Sequence, residues 1–293
     1  MTFREALNWG KEKLQHAGIP EYDLDAWLLL EHVSGLSRAM YFVRDREEME
    51  ESCREQYEEA IRKRESRVPL QHITGVQEFM GYEFHVNEHV LIPRQDTEIL
   101  VEEADRAADD TGAKRILDVC TGSGCILLSL LKMNENRTGT GSDLSEPALK
   151  MAEETRRLLE IPEERAAFVQ SALFERIEGT YEMIVSNPPY IRTEEIRKLQ
   201  EEVRLHDPYG ALDGKEDGLY FYRRIISEAG GYFDHQGTLL FEIGYDQAED
   251  VKRLMEEAGY SQIYVKKDLA GLDRVVGGVY NKARENEEEL TNV

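Results

Sequence analysis

The chain has 293 residues, of which 41% are hydrophobic and 32% charged, a balance typical of a globular protein and not of a disordered one. Its formal net charge of −23 repels a phosphate backbone and therefore disfavours a general DNA-binding enzyme. No apolar run approaches the roughly 20 residues that a membrane-spanning helix needs. The first ten residues resemble no signal peptide, and the three cysteines lack metal-ligand spacing. We therefore expect a cytoplasmic protein that binds no metal.

The front of the chain predicts helices. Apolar residues recur there at intervals of three and four, as in Leu24, Trp27 and Leu28, and the predicted helices span 4–17, 22–33 and 47–67. We expect a small helical bundle over residues 1–75, in which the basic cluster around Arg64 forms a solvated helix face. Alternating residues around Gly81 then predict a β-hairpin, which gives a linker at 76–92.

From residue 93 the pattern alternates between strands and helices. The predicted strands lie at 116–120, 167–170, 183–186, 238–243, 263–267 and 275–280. A further strand, the second in chain order, ends at Asp143. The predicted helices lie at 96–108, with Asp96 as N-cap, at 125–133, at 147–159, with Ser145 as cap, and at 218–229 and 247–258. This order predicts an α/β domain over 93–283, in which a mostly parallel sheet ends in an antiparallel C-terminal hairpin. The polar residues 284–293 predict a flexible tail.

The first motif with chemical meaning is a glycine loop between a predicted strand and a predicted helix. It contains Cys120, Thr121, Gly122, Ser123 and Gly124. Glycines there let a ligand approach the backbone, and the following helix offers free N–H groups. The loop alone is equally compatible with an ordinary tight turn.

An acidic residue strengthens the case for a nucleotide-like cofactor. Asp143 ends the next strand at the interval expected for a carboxylate that binds ribose hydroxyls, although it also suits a helix start. Leu127 stands where a dinucleotide fingerprint requires its third glycine. Asp118 also suits the cationic amino group of S-adenosylmethionine better than a pyrophosphate. The loop therefore favours S-adenosylmethionine over a dinucleotide.

The sequence Asn187-Pro188-Pro189-Tyr190 follows an apolar strand, which places it at the carboxyl edge of the sheet. The Asn187 side-chain oxygen and the Pro188 carbonyl can accept both hydrogens of an –NH₂ group, and Tyr190 can stack on its plane. The nitrogen would then face a methyl sulfonium, so Asn187 belongs to the cofactor site as well. This motif predicts a methyltransferase acting on a planar nitrogen, through positioning and stabilisation of developing positive charge.

Together these motifs resemble the nitrogen-directed class I methyltransferases, which include adenine-N6 enzymes and glutamine-N5 enzymes. Nearly the whole chain is similar to the HemK-type release-factor glutamine methyltransferases. The matching segments are 69–75, 91–98, 186–191, 213–222, 241–247 and 273–276.

The resemblance implies that the substrate is the glutamine of the Gly-Gly-Gln motif of class-one peptide-chain release factors, and that S-adenosylhomocysteine is the product. It implies that residues 120–124 wrap the methionine part of S-adenosylmethionine, that Asp143 binds the ribose, and that residues 187–190 hold the glutamine amide. Leu173 would pack on the adenine. The helical front would help to dock the release factor, and we expect a monomer that contacts neither nucleic acid nor membrane directly.

The chain departs from the family pattern at three positions. Cys120 replaces a usual glycine, Gln95 a usual proline, and Ala172 a usual aspartate that would meet the adenine amino group. The last departure leaves adenine recognition open and keeps a non-catalytic binding module among the alternatives. An adenine-N6 methyltransferase is disfavoured by the charge, and a dinucleotide-dependent oxidoreductase by Leu127.

Overall fold

The computed structural model describes residues 1–282, so the predicted tail and residue 283 lie outside the described residues. The chain forms two compact units. One comprises Met1–Val76 and Gln200–His206, and the other comprises Gln77–Leu199 and the chain from Asp207 onward. Within residues 1–282, no helix is long and apolar enough to cross a membrane.

The first unit is helical. Its helices are α1 (Phe3–His16), α2 (Tyr22–Ser34), α3 (Arg38–Arg44), α4 (Glu51–Glu65) and α5 (Leu70–Thr74). The predicted helix 47–67 is wrong at its start, because the backbone before residue 51 pairs with the beginning of the chain. The N–H of Phe3 donates to the Glu47 carbonyl, and that of Met49 to the Met1 carbonyl. Helix α3, which Ser37 caps through the Met40 N–H, was not predicted.

A buried ion-pair cluster ties the short helix α9 (Glu201–His206) into this unit. The Arg64 guanidinium lies 2.7 Å from an Asp25 carboxylate oxygen and 2.9 Å from one of Glu202. Arg64 is only 5% exposed, so the expectation of a solvated basic face is wrong at this residue. A buried arginine needs carboxylate partners, and two acids far apart in sequence supply them here.

The second unit begins with the predicted hairpin, formed by β1 (Val76–Phe79) and β2 (Tyr82–His85). Met80 and Gly81 both have positive φ, as a two-residue turn of this kind requires. The seven-stranded sheet follows, with the order β5-β4-β3-β6-β7-β9-β8. Its strands are β3 (Arg115–Val119), β4 (Thr138–Asp143), β5 (Ala166–Gln170), β6 (Tyr181–Ser186), β7 (Phe233–Glu242), β8 (Ser261–Lys267) and β9 (Asp273–Asn281).

Strands β3 to β7 are parallel, and β9 runs antiparallel to both β7 and β8. This confirms the predicted sheet with its antiparallel C-terminal hairpin. Successive residues of β6 alternate between two buried clusters, with Met183 and Val185 in one and Ile184 in the other, because side chains alternate across a strand. The first cluster packs with α6 (Gln95–Thr111) and α7 (Cys125–Met133), and the second with α10 (Tyr220–Ala229) and α11 (Ala248–Glu257).

The strand order creates a switch point at β3. From β3 the chain continues to β4 and β5 on one side, and then returns to β6 and β7 on the other. Val119 pairs with Ser186, and Ser186 with Phe241, so Cys120, Asn187 and Glu242 stand at neighbouring carboxyl ends. Ligands of open α/β sheets bind at this kind of position.

Candidate active site

The glycine loop joins β3 to α7 through a left-handed backbone. Cys120, Gly122 and Gly124 have φ values of 63°, 54° and 78°. Beneath the loop, an Asp118 oxygen accepts from the Thr121 hydroxyl at 2.6 Å and from the Leu127 N–H at 3.3 Å. Asp118 is fully buried and is not among the cavity-lining residues, which differs from the expectation that it faces a cofactor amino group.

Asp143 holds the loop from the neighbouring strand. One carboxylate oxygen accepts from the Gly122 N–H at 2.9 Å, and the other accepts from the Ser145 N–H at 2.8 Å. Ser145 caps α8 (Glu146–Leu158) through the Ala148 N–H, which confirms the predicted cap. Burial raises the pKa of Asp143, and these N–H donors oppose that rise. Asp143 therefore orders the loop and also lines the cavity beside it.

A cavity of about 600 Å³ opens at the switch point, within the size range of small-molecule sites. Eight predicted site residues line it: Cys120, Thr121, Gly122, Ser123, Asp143, Leu173, Asn187 and Pro189. Gly124, Pro188 and Tyr190 are not among the lining residues. Gly124 is instead the N-cap residue of α7, and Pro188 is buried. The structure thus brings the loop, the acid and Asn187 to one cavity.

Asn187 belongs to a chain of hydrogen bonds that ends on a buried carboxylate. Its amide Nδ2 donates to the Thr97 hydroxyl at 3.2 Å, and Thr97 donates to Glu242 Oε2 at 2.6 Å. The Tyr190 hydroxyl donates to Glu242 Oε1 at 3.1 Å. Glu242 therefore connects two of the residues in the Asn187–Tyr190 motif.

Burial dominates the electrostatics of this network. It raises the pKa of Glu242, while the Thr97 and Tyr190 hydroxyls and the nearby Arg274 oppose the rise. Burial and the adjacent Glu242 charge both raise the pKa of Tyr190, so its phenol stays protonated and remains a donor.

The beginning of α6 differs from the prediction. The N-cap residue is Arg94, and Asp96 lies in the first turn, where its carboxylate is 3.1 Å from the Arg274 guanidinium. Asp96 is therefore not the cap. Arg94 forms an ion pair with Asp207 and lines the cavity, and Glu98 accepts from the Met80 N–H at 2.7 Å.

Two family models match the chain. Residues 5–75 match the PrmC N-terminal domain, and residues 95–204 match the methyltransferase small domain. The release factor glutamine methyltransferase of Clostridium acetobutylicum is 38% identical over 279 residues, which cover 94% of this chain and 98% of the relative. That of Geobacter sulfurreducens is also 38% identical, over 94% of this chain and 96% of the relative. This chain belongs to the release factor glutamine methyltransferase family.

The fold agrees with that membership. A methyltransferase from Pyrococcus furiosus superposes with a TM-score of 0.51 at 14% identity, covering 69% of this chain and 90% of the other. At that identity the likeness concerns the fold alone, which is the class I methyltransferase fold.

The cavity suits the S-adenosylmethionine that this family uses. The Ser142 hydroxyl is buried in its wall, with no hydrogen-bond partner among residues 1–282. Gly122 also lines it, and a Cβ there would meet nothing within 4 Å, so the backbone is open to a ligand. Among the described lining residues Asp143 is the one carboxylic acid, which suits it to ribose hydroxyls.

Ala172 was expected from the resemblance to replace an aspartate, and the structure places no carboxylate beside it among the described lining residues. Ala172 and Leu173 line the cavity, and Leu173 is buried with a φ of 57°. The neighbouring polar side chains already have partners in the protein. The Ser171 hydroxyl accepts from the Arg176 N–H, and the Gln170 amide donates to the Leu144 carbonyl.

Two site residues were assigned no role from the sequence, although both stand in segments that match the family. Thr97 lies in the first turn of α6, and Glu242 ends β7 beside Asn187. Glu242 could have been found as a carboxylate at the end of a strand next to β6, since the carboxyl ends of parallel strands share one edge. Thr97 comes from a preceding helix, and no local pattern indicates its contact.

Proposed function

We propose that this chain transfers the methyl group of S-adenosylmethionine to the side-chain amide N5 of the glutamine in the Gly-Gly-Gln motif of class-one peptide-chain release factors. The names of its relatives supply the reaction and the substrate class. At the site, the position of Asn187 carries the proposal. Asn187 lines the cavity at the switch point, and its NH₂ group is engaged by Thr97. Its oxygen is thereby left to accept from an –NH₂ substrate.

The substrate amide would be held by acceptors on one side. Asn187 Oδ1 and the Pro188 carbonyl accept its two hydrogens, and we assign Tyr190 the stacking contact with the amide plane. Pro188 and Pro189 stiffen the backbone that presents these groups, because a proline ring fixes φ. Rate enhancement then comes from orienting the nitrogen and from stabilising its developing positive charge.

The cofactor would lie along the glycine loop. We assign residues 120–124 to the methionine part, Asp143 to the ribose hydroxyls, and Leu173 to the adenine face, with Asn187 beside the methyl group. S-adenosylmethionine, when bound, supplies an electrophilic methyl group and leaves as S-adenosylhomocysteine. The chain's own contribution is the loop that Asp143 and Asp118 hold in shape.

For the partner, we assign the docking role to residues 1–75, the part that matches the PrmC N-terminal domain. We expect the enzyme to act as a monomer, without direct contact to nucleic acid. The net charge of −23 suits a basic protein partner better than a phosphate backbone.

Methyl transfer from labelled S-adenosylmethionine tests the proposal. The acceptors are a release factor, the same release factor with the motif glutamine changed to alanine, and duplex DNA. We expect label on the first acceptor alone. Label on DNA would point to an adenine-N6 enzyme, and label that survives the glutamine change would refute the substrate assignment. Absence of transfer despite cofactor binding would indicate a binding module.

A further inference from the structure

The hydrogen bonds around Asn187 have a fixed direction. Glu242 is 2% exposed and its two oxygens each receive one hydroxyl, that of Thr97 at 2.6 Å and that of Tyr190 at 3.1 Å. The two hydroxyl donors and the nearby Arg274 favour the ionised form of Glu242, and an ionised carboxylate only accepts hydrogen bonds. The single hydrogen of the Thr97 hydroxyl is therefore committed to Glu242.

The direction of this hydrogen bond determines how Thr97 can bind Asn187. With its hydrogen on Glu242, the Thr97 oxygen can only accept, so Asn187 must turn its NH₂ group towards it. The amide oxygen of Asn187 then points away from Thr97. A primary amide can otherwise rotate by half a turn and exchange its donor and acceptor faces, and nothing in the Asn187–Tyr190 motif itself prevents that rotation.

We propose that Thr97 and Glu242 are positioning residues for methyl transfer, which fix the amide orientation of Asn187 so that its oxygen accepts from the substrate –NH₂ group. This inference rests on the proposed function. It also explains a discrimination between side chains of nearly equal shape. A fixed acceptor rejects the carboxylate of glutamate, because two acceptors face each other, and admits the amide of glutamine.

A purely structural role for the same contacts makes a different prediction. Thr97 lies in α6 and Glu242 in β7, so the bond also joins a helix to the sheet. If the Thr97–Glu242 bond only joined the helix to the sheet, removing the hydroxyl would lower the free energy of unfolding and leave the kcat of the folded fraction unchanged. A positioning role instead lowers kcat in protein that is folded and binds the cofactor.

The test uses full-length protein with Thr97→Val, which keeps the side-chain shape and removes the hydroxyl, and Thr97→Ser, which keeps the hydroxyl. Thr111→Val is the matched control, because its exposed hydroxyl donates only to the Ala107 carbonyl near the other end of α6. The readouts are thermal unfolding, S-adenosylmethionine affinity by calorimetry, and kcat and KM for methyl transfer to a release factor.

We expect Thr97→Val to lower kcat roughly 10- to 100-fold, by analogy with the loss of a residue that orients a metal ligand. Cofactor affinity should change little, and Thr97→Ser and Thr111→Val should stay near wild type. Glu242→Leu is the second variant, for the case that Thr97→Val folds poorly. It removes the acceptor that holds the Thr97 hydrogen, so the Asn187 amide is free to rotate and kcat should fall again.

The outcomes separate the two proposals. Absence of transfer to the release factor by the wild type would overturn the proposed function, and the positioning role with it. Methyl transfer at wild-type kcat by Thr97→Val or by Glu242→Leu would overturn the positioning role alone. So would a loss that Thr97→Ser shares, or one explained by the unfolded fraction.

Discussion

Asp118 lies fully buried beneath the glycine loop, and its Oδ1 has no hydrogen-bond partner among residues 1–282. Burial raises its pKa to about 7, and the bonds from Thr121 and Leu127 only partly oppose the rise. An unfolded aspartate titrates near 3.9. Between these two values the native state binds more protons than the unfolded state, so this group lowers stability as pH rises through that window.

Asp118→Asn should remove this pH dependence, since an amide oxygen can still accept from Thr121 and Leu127. As the pH rises from 4 to 7, we expect the free energy of unfolding of the wild type to fall relative to that of the variant. The difference should reach about 2–4 kcal/mol, at about 1.4 kcal/mol per pKa unit, and stay constant above pH 7. Urea unfolding of the cofactor-free protein measures it, with the exposed Asp110→Asn as control. Parallel curves for wild type and Asp118→Asn would contradict the assignment.

The site residues differ in how far the sequence could predict them. Cys120 and Gly122 were predictable because a strand, a glycine turn and a helix are consecutive in the chain, and Asn187 because an apolar strand precedes it. The bond between Thr97 and Glu242 joins residues 145 positions apart. Its formation depends on how α6 packs against β7, which no local periodicity encodes.

At the scale of elements, the loop before α7 needs glycine at two places for different reasons. Both Gly122 and Gly124 have positive φ, where an L-residue costs about 1–2 kcal/mol. A Cβ at 124 would also approach the Ala152 Cβ at 3.1 Å and the Leu128 Cδ1 at 3.2 Å, whereas one at 122 would meet nothing within 4 Å.

We therefore expect the two alanine variants to separate stability from cofactor binding. Gly124→Ala should lower the free energy of unfolding more than Gly122→Ala, because strain and crowding add at 124. Gly122→Ala should weaken S-adenosylmethionine binding more, because its new methyl group stands at the cavity wall. Urea unfolding and calorimetry measure the two effects. The reverse ranking in either measurement would count against this view of the loop.

The elements that the sequence missed were those whose bounds depend on distant partners. Helix α8 was predicted to within a residue, because its Ser145 cap and apolar spacing are local. Helix α4 was predicted too long, since residues 47–49 pair instead with the first residues of the chain. Segment Gln200–His206 joins the helical unit through the Glu202–Arg64 pair. No change in composition along the chain predicts this contact.

At the scale of the whole molecule, the net charge of −23 contrasts with the cations at the cavity. Arg94, Lys215 and Arg224 line it, and each pairs with a carboxylate, those of Asp207, Asp213 and Glu228. These cations are balanced locally, and we expect the excess negative charge of the whole chain to attract a basic partner over distance.

Salt should accordingly act on the encounter with the release factor and not on the chemistry. Raising ionic strength from about 0.01 M to about 0.15 M shortens the Debye length from about 30 Å to about 8 Å. We expect KM for a basic release factor to rise several-fold and kcat to stay nearly constant, with a short uncharged Gly-Gly-Gln peptide as control. Equal salt dependence for protein and peptide, or none for either, would refute the attraction.

The central claim is that Asn187 holds a release-factor glutamine for methylation. Its most direct measurement is mass spectrometry of the Gly-Gly-Gln peptide of a release factor incubated with S-adenosylmethionine and either wild-type enzyme or Asn187→Ala. We predict one added methyl group on the glutamine with the wild type, and none with the variant, while calorimetry shows that the variant still binds the cofactor. A methyl group on another residue, or an equally methylated glutamine with Asn187→Ala, would contradict the account.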